Sequence, residues 1–144
     1  MPKKEAGTGE FLRRLRKTSD IITFIKTNSE EMEEISFHDY INGLCTEKDI
    51  LPARVIERAG IERTFGHQLF NGRRNPSRDK VIQLALGFEM VYTEAQDLLQ
   101  AARKNALYPK TKRDAVIIFA LENKLSYTDV QTILHELALP LISE

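Results

Sequence analysis

The residues able to do chemistry are few, and their spacing excludes most of it. Three histidines, His38, His67 and His135, stand too far apart in sequence to read as a metal-ligand set. The single cysteine, Cys45, has no base beside it and no second cysteine to pair with. There is no glycine-rich phosphate loop, no HExxH and no nucleophile elbow, so no enzyme, metal or cofactor is expected. Charge is the more informative feature. Lys plus Arg (21) equals Asp plus Glu (21), yet Arg63, Arg73, Arg74, Arg78 and Lys80 cluster against one acid, Asp79. Glu30, Glu31, Glu33 and Glu34 form an opposite cluster, so the positive field is local to 63–80.

The elements that must position these residues read as helices throughout. Tryptophan is absent, glycine and proline are sparse, and Leu, Ile, Ala, Glu, Lys and Arg dominate, which predicts an all-α fold. At 144 residues and 42% hydrophobic, the chain is long enough for one well-buried core or a small core with extensions. An N-terminal helical extension is expected over 1–35. Its first eight residues are frayed, and then Phe11, Leu12, Leu15, Ile21, Ile22, Phe24 and Ile25 recur at helical spacing. Its basic run, Arg13, Arg14, Arg16 and Lys17, reads as the solvated face of an amphipathic helix. Without an apolar signal stretch or a membrane span, a cytoplasmic location is expected.

Over 36–105 the spacing predicts five helices. Ser36 with Asp39 opens the first, burying Phe37, Tyr40, Ile41 and Leu44. The second starts near Leu51, tolerates Pro52 in its first turn and closes on Gly60. The third runs from about Arg63 to Phe70 and stops at Asn71-Gly72. Asn75-Pro76 begins the fourth, with Val81, Ile82, Leu84, Ala85 and Leu86 buried and Gly87 as terminator. Thr93 with Gln96 opens the fifth. Over 106–144, Thr111 with Asp114 and Ser126 with Asp129 start two more helices, packed on the core or on a partner. No internal repeat and no low-complexity tract are expected.

The layout from Ile50 to Ser77 is the specific one. Two short helices joined by a tight turn at Gly60, the second followed at once by Asn-Gly, basic residues and Pro-Ser, match the way a recognition helix is displayed and braced. Here the chain resembles the lambda-repressor-like, Cro/Xre family of helix-turn-helix proteins, over about Phe37 to Ala102. Gly60 matches the turn glycine, Ile61 and Leu69 its core positions, and Asn71-Gly72-Arg73-Arg74-Asn75-Pro76-Ser77 its closing N-G-K/R-x-x-P-S pattern. The strings LFNGRRNPSRDKVIQLALGF and LYPKTKRDAVIIFAL are similar to a Xre-type bacterial subgroup with a C-terminal helical extension. Two departures stand out. Ile56 and Gly66 exchange the family's small and β-branched residues, one large-plus-small pair replacing another. Pro52 takes the place of a phosphate-reaching glutamine.

The resemblance implies a sequence-specific, double-stranded-DNA-binding transcriptional regulator whose recognition helix, about 62–71, enters the major groove. Arg63 and Gln68 would read guanine and adenine edges, with Thr64, His67 and Glu62 as weaker readers. Asn71, Arg73, Arg74 and Arg78 would hold phosphates. One such motif reads a half-site, so a homodimer is expected, joined through the C-terminal helices or the Ile21-Ile22-Phe24-Ile25 stripe. The competing expectation is a non-catalytic protein-interaction module that docks a partner through the same fold or its N- or C-terminal helices.

Overall fold

The computed structural model describes residues 8–32 and 35–143. Residues 1–7, on which most of the expected frayed start falls, and Glu33 and Glu34 of the acidic cluster lie outside the described residues. Among those described, every regular element is a helix and there are no strands. None of the helices is long and apolar enough to cross a membrane.

The chain divides into two compact units, 1–35 and 36–144. In the first, α1 (Thr8–Lys17) and α2 (Ile21–Met32) form the two short helices allowed by the apolar spacing. Asp20 opens α2 by accepting from the Thr23 N–H and hydroxyl. Phe11 and Phe24 meet edge to face with ring centroids 5.5 Å apart, and Arg14 pairs with Glu31 at 3.3 Å. Phe24 is the buried apolar residue of this unit, while Ile21, Ile22 and Ile25 stay exposed.

The second unit holds α3 (Phe37–Lys48), α4 (Pro52–Ala59), α5 (Arg63–Phe70), α6 (Arg78–Gly87), α7 (Tyr92–Ala101), α8 (Lys112–Glu122) and α9 (Tyr127–Glu136). Their starts follow local chemistry. Ser36 accepts from Asp39 N, and Ser126 and Asp129 complete a reciprocal box. Three starts and one stop differ from the sequence reading. Helix α6 is capped by Ser77, whose hydroxyl accepts from Lys80 N, and Pro76 is buried ahead of it. Helix α7 begins one residue before Thr93, and Glu94 reaches back to Val91 N at 3.1 Å. Thr111 makes no side-chain cap on α8, and the Asp114 carboxylate, which would reach back in a capping box, binds Arg78 and Tyr108 N instead.

Gly87 lies inside α6 rather than ending it, and Glu89 takes the left-handed conformation that follows. A Cβ on Gly87 would come within 2.5 Å of the Val55 carbonyl oxygen, so this glycine sets how closely α4 and α6 approach. One apolar core runs from Ile41 through Leu69, Leu84 and Leu98 to Ile117, Leu134 and Ile142, so α8 and α9 share it with α3–α7.

The structure also reveals an internal repeat that the sequence reading missed. Shifted by 35 positions, Arg78-Asp79, Val81-Ile82, Ala85-Leu86, Tyr92-Thr93, Gln96 and Leu99 recur as Arg113-Asp114, Val116-Ile117, Ala120-Leu121, Tyr127-Thr128, Gln131 and Leu134. Helix for helix, α6 and α7 correspond to α8 and α9, and the left-handed residues Glu89 and Arg103 to Lys124 and Ala138.

The hydrogen bonds repeat with the residues. Gln96 holds both the N–H and the carbonyl of Leu107 (2.8 and 3.0 Å), as Gln131 holds those of Ile142 (2.8 and 2.9 Å). Arg78 donates to the carbonyls of Asn105 and Ala106, as Arg113 does to those of Pro140 and Leu141. The contacts between hairpins are reciprocal. Arg78 forks onto Asp114 and Arg113 onto Asp79, while Asp114 accepts from Tyr108 N and Asp79 from Ser143 N. The two hairpins are therefore related as the halves of an isologous dimer are.

Candidate nucleic-acid interface

Helices α4 and α5 are eight residues each, separated by Gly60, Ile61 and Glu62. Gly60 has φ +70°, and its N–H returns to the carbonyls of Glu57 and Ile56, ending α4 as expected. The turn is fixed from outside as well. Gln83, fully buried, donates from Nε2 to the Ala59 carbonyl at 3.1 Å and receives Lys80 Nζ on Oε1 at 2.9 Å. The Tyr127 ring covers Gly60 so closely that a Cβ there would lie 2.2 Å from Cδ1. Ile61 then enters the core. The sequence signal for Gln83 was a lone polar residue within an unbroken apolar run, and the stripe was read without it.

Gly66, on the inner side of α5, meets Ile56. A Cβ on Gly66 would sit 2.5 Å from Ile56 Cγ2, so the large Ile56 fills the space that a side chain at 66 would need across the α4–α5 contact. Leu69 and Phe70 complete the inner side. At the end of the helix, Asn42 of α3 donates to the Phe70 carbonyl at 2.7 Å, a brace the sequence reading did not anticipate. Gly72, at φ +83°, turns the chain beneath the His38 ring, and Asn71 Oδ1 accepts from Arg73 N at 3.0 Å.

The outer side of α5 carries the expected readers, which divide into two kinds. Arg63 and Thr64 are exposed, and His67 and Gln68 half-exposed. Glu62 serves the helix itself. Its carboxylate accepts from Thr64 N at 3.0 Å and Phe65 N at 2.8 Å. Those N–H groups, Phe65's first, hold its carboxyl below the ordinary range, with Arg74 adding a weaker attraction.

Gln68 Oε1 accepts from Arg74 Nε at 2.7 Å, and the Arg74 guanidinium lies 4.7 Å above the Phe65 ring. Phe65 is half-buried against the core, with Lys80 Nζ 5.5 Å from its centroid, so it is a platform for cations. Asn71, Arg73 and Arg74 stand together on exposed chain next to α5. Arg78 does not join them. Its guanidinium is tied to Asp114 and to the Asn105 and Ala106 carbonyls, which leaves Asn71, Arg73 and Arg74 of the expected phosphate set.

The arrangement presents hydrogen-bond donors and positive charge along one short helix and the turn that follows it. Arg74 is oriented before any ligand arrives, because a side-chain acceptor and an aromatic face both hold it. Family models, curated proteins and solved structures offer no match to the chain.

Proposed function

We propose that the chain binds double-stranded DNA in a sequence-specific way, as a transcriptional regulator of the Cro/Xre, lambda-repressor-like kind, with α5 in the major groove. The observation that carries this reading is the pairing of an accessible α5 face with the arginine turn beside it. Arg63, Thr64, His67 and Gln68 offer groups that suit base edges, and Asn71, Arg73 and Arg74 offer groups that suit phosphates. Gln68 acts here as a donor, since its amide oxygen already faces Arg74 and its NH2 is left to reach an acceptor such as guanine O6 or N7.

A second reading, a protein-docking module on the same scaffold, draws support from Glu62, whose negative charge sits at the start of α5 where a phosphate would otherwise be favoured.

Salt titration of duplex binding separates the two. The two arginines assigned to phosphates, Arg73 and Arg74, set a slope of log K against log salt of about −2 per bound subunit. The double variant Arg73→Glu, Arg74→Glu removes binding and retains the helical circular-dichroism signal. Absence of duplex binding at low salt defeats the DNA reading, and undiminished binding by the double variant defeats the phosphate assignment.

A further inference from the structure

The repeat poses a question of coverage. In the first hairpin, α4 packs along α6. Lys80, Leu84 and Gly87 share one stripe of α6 and are all buried, with Gly87 against the Val55 carbonyl and Ala59. Their counterparts on α8 are Ala115, Phe119 and Glu122, and all three are exposed, Phe119 by 57%. The second hairpin repeats this stripe, and no described helix of the same unit covers it. A phenylalanine stands where leucine is enclosed in the first copy, a large apolar side chain left in water.

We propose that this stripe is a homodimer contact, in which α8 packs antiparallel against α8 of a second copy. The stripe is complementary to itself. Lys112 and Glu122 lie five residues either side of Ile117, and Ala115 and Phe119 two residues either side. Antiparallel helices crossing at the level of Ile117 bring Lys112 of each chain to Glu122 of the other. The same crossing seats each Phe119 ring over the small Ala115 of the other chain. A parallel pairing would instead set like charges together at both ends. A single helix pair buries less than a standard interface, so the dimer is weak and concentration-dependent. It stands independently of what α5 binds.

Sedimentation of the full chain over a concentration series, with three variants, tests this. The wild type shows a reversible monomer–dimer equilibrium, and Phe119→Glu weakens it about tenfold or more. Lys112→Glu gives a chain with a carboxylate at both ends of the stripe, and Glu122→Lys one with an ammonium at both ends. Each alone self-associates several-fold more weakly, whereas their equimolar mixture recovers wild-type association, which a folding defect could not produce. A chain that stays monomeric overturns the proposal. So does a dimer indifferent to Phe119→Glu, which would place the contact elsewhere, such as the exposed isoleucines of α2, and so does a mixture no tighter than its components.

Discussion

Cys45 shows how far a residue's neighbours in space alter its chemistry. It is buried in the core between α3 and its neighbours, and burial pushes its thiol up to about 11. At pH 7 the thiolate fraction is then on the order of 1 in 10,000, so a disulfide reagent reacts slowly with the native protein and rapidly once denaturant opens the core. Equal rates in the two states would mean that Cys45 is accessible. The same dependence on distant partners separates the arginines. In sequence, Arg73, Arg74 and Arg78 form one cluster, and local charge gives no reason to divide them. What divides them is Asp114, 36 residues beyond Arg78, together with Gln68 and Phe65 beside Arg74. Glu62 was equally hard to read as a cap, since Ser, Thr, Asp and Asn are the usual residues there.

At the scale of elements, most of the signals were legible because they are local. Ser36, Ser126 and Gly60 act within four residues of themselves, and each does in the structure what its type suggests. Gly87 misled because the same residue type serves two purposes, left-handed backbone and close approach. Only the position of α4 shows that the second applies. The Ile56–Gly66 contact is suggested by the family resemblance rather than by the two residue types alone, and it makes a quantitative prediction. Gly66→Ala drives a methyl into Ile56 and destabilises by about 1–3 kcal/mol, despite the better helix propensity of alanine. Ile56→Ala opens a cavity and loses about 2–5 kcal/mol. In the double variant Ile56→Ala, Gly66→Ala, the added methyl falls into space the isoleucine left. The combined loss, from urea denaturation, should therefore be smaller than the sum of the single losses. Strict additivity would show that the two side chains do not share that space.

At the scale of the whole molecule, the recurrence of α6–α7 as α8–α9 escaped sequence reading because it is written in polar residues. Apolar helix stripes look alike whether or not they are repeats, whereas Arg-Asp, Tyr-Thr and Gln at matched positions earn their meaning only when their bonds are seen to coincide. The symmetry predicts paired consequences. Asp79→Asn and Asp114→Asn each remove the charge partner of a largely buried arginine, with a loss on the order of 3 kcal/mol. Hydrogen exchange should distinguish them. Asp79→Asn exposes the amides of Ile142 and Ser143, and Asp114→Asn those of Leu107 and Tyr108.

Acid adds a second axis for Asp79. Burial alone would push its carboxyl up, but the hydrogen bonds from Arg113 and from the Ser143 N–H and hydroxyl outweigh that and hold it below the ordinary aspartate range. A carboxyl lowered on folding contributes stability that is complete above its unfolded value, about 3.9, and disappears as pH falls through the lower folded value. The gap in stability between wild type and Asp79→Asn is thus constant near neutrality and closes below about pH 4. A gap that widens on acidification, or the same amides exposed by both variants, would show that the two ion pairs are not the matched clasps of a repeated hairpin.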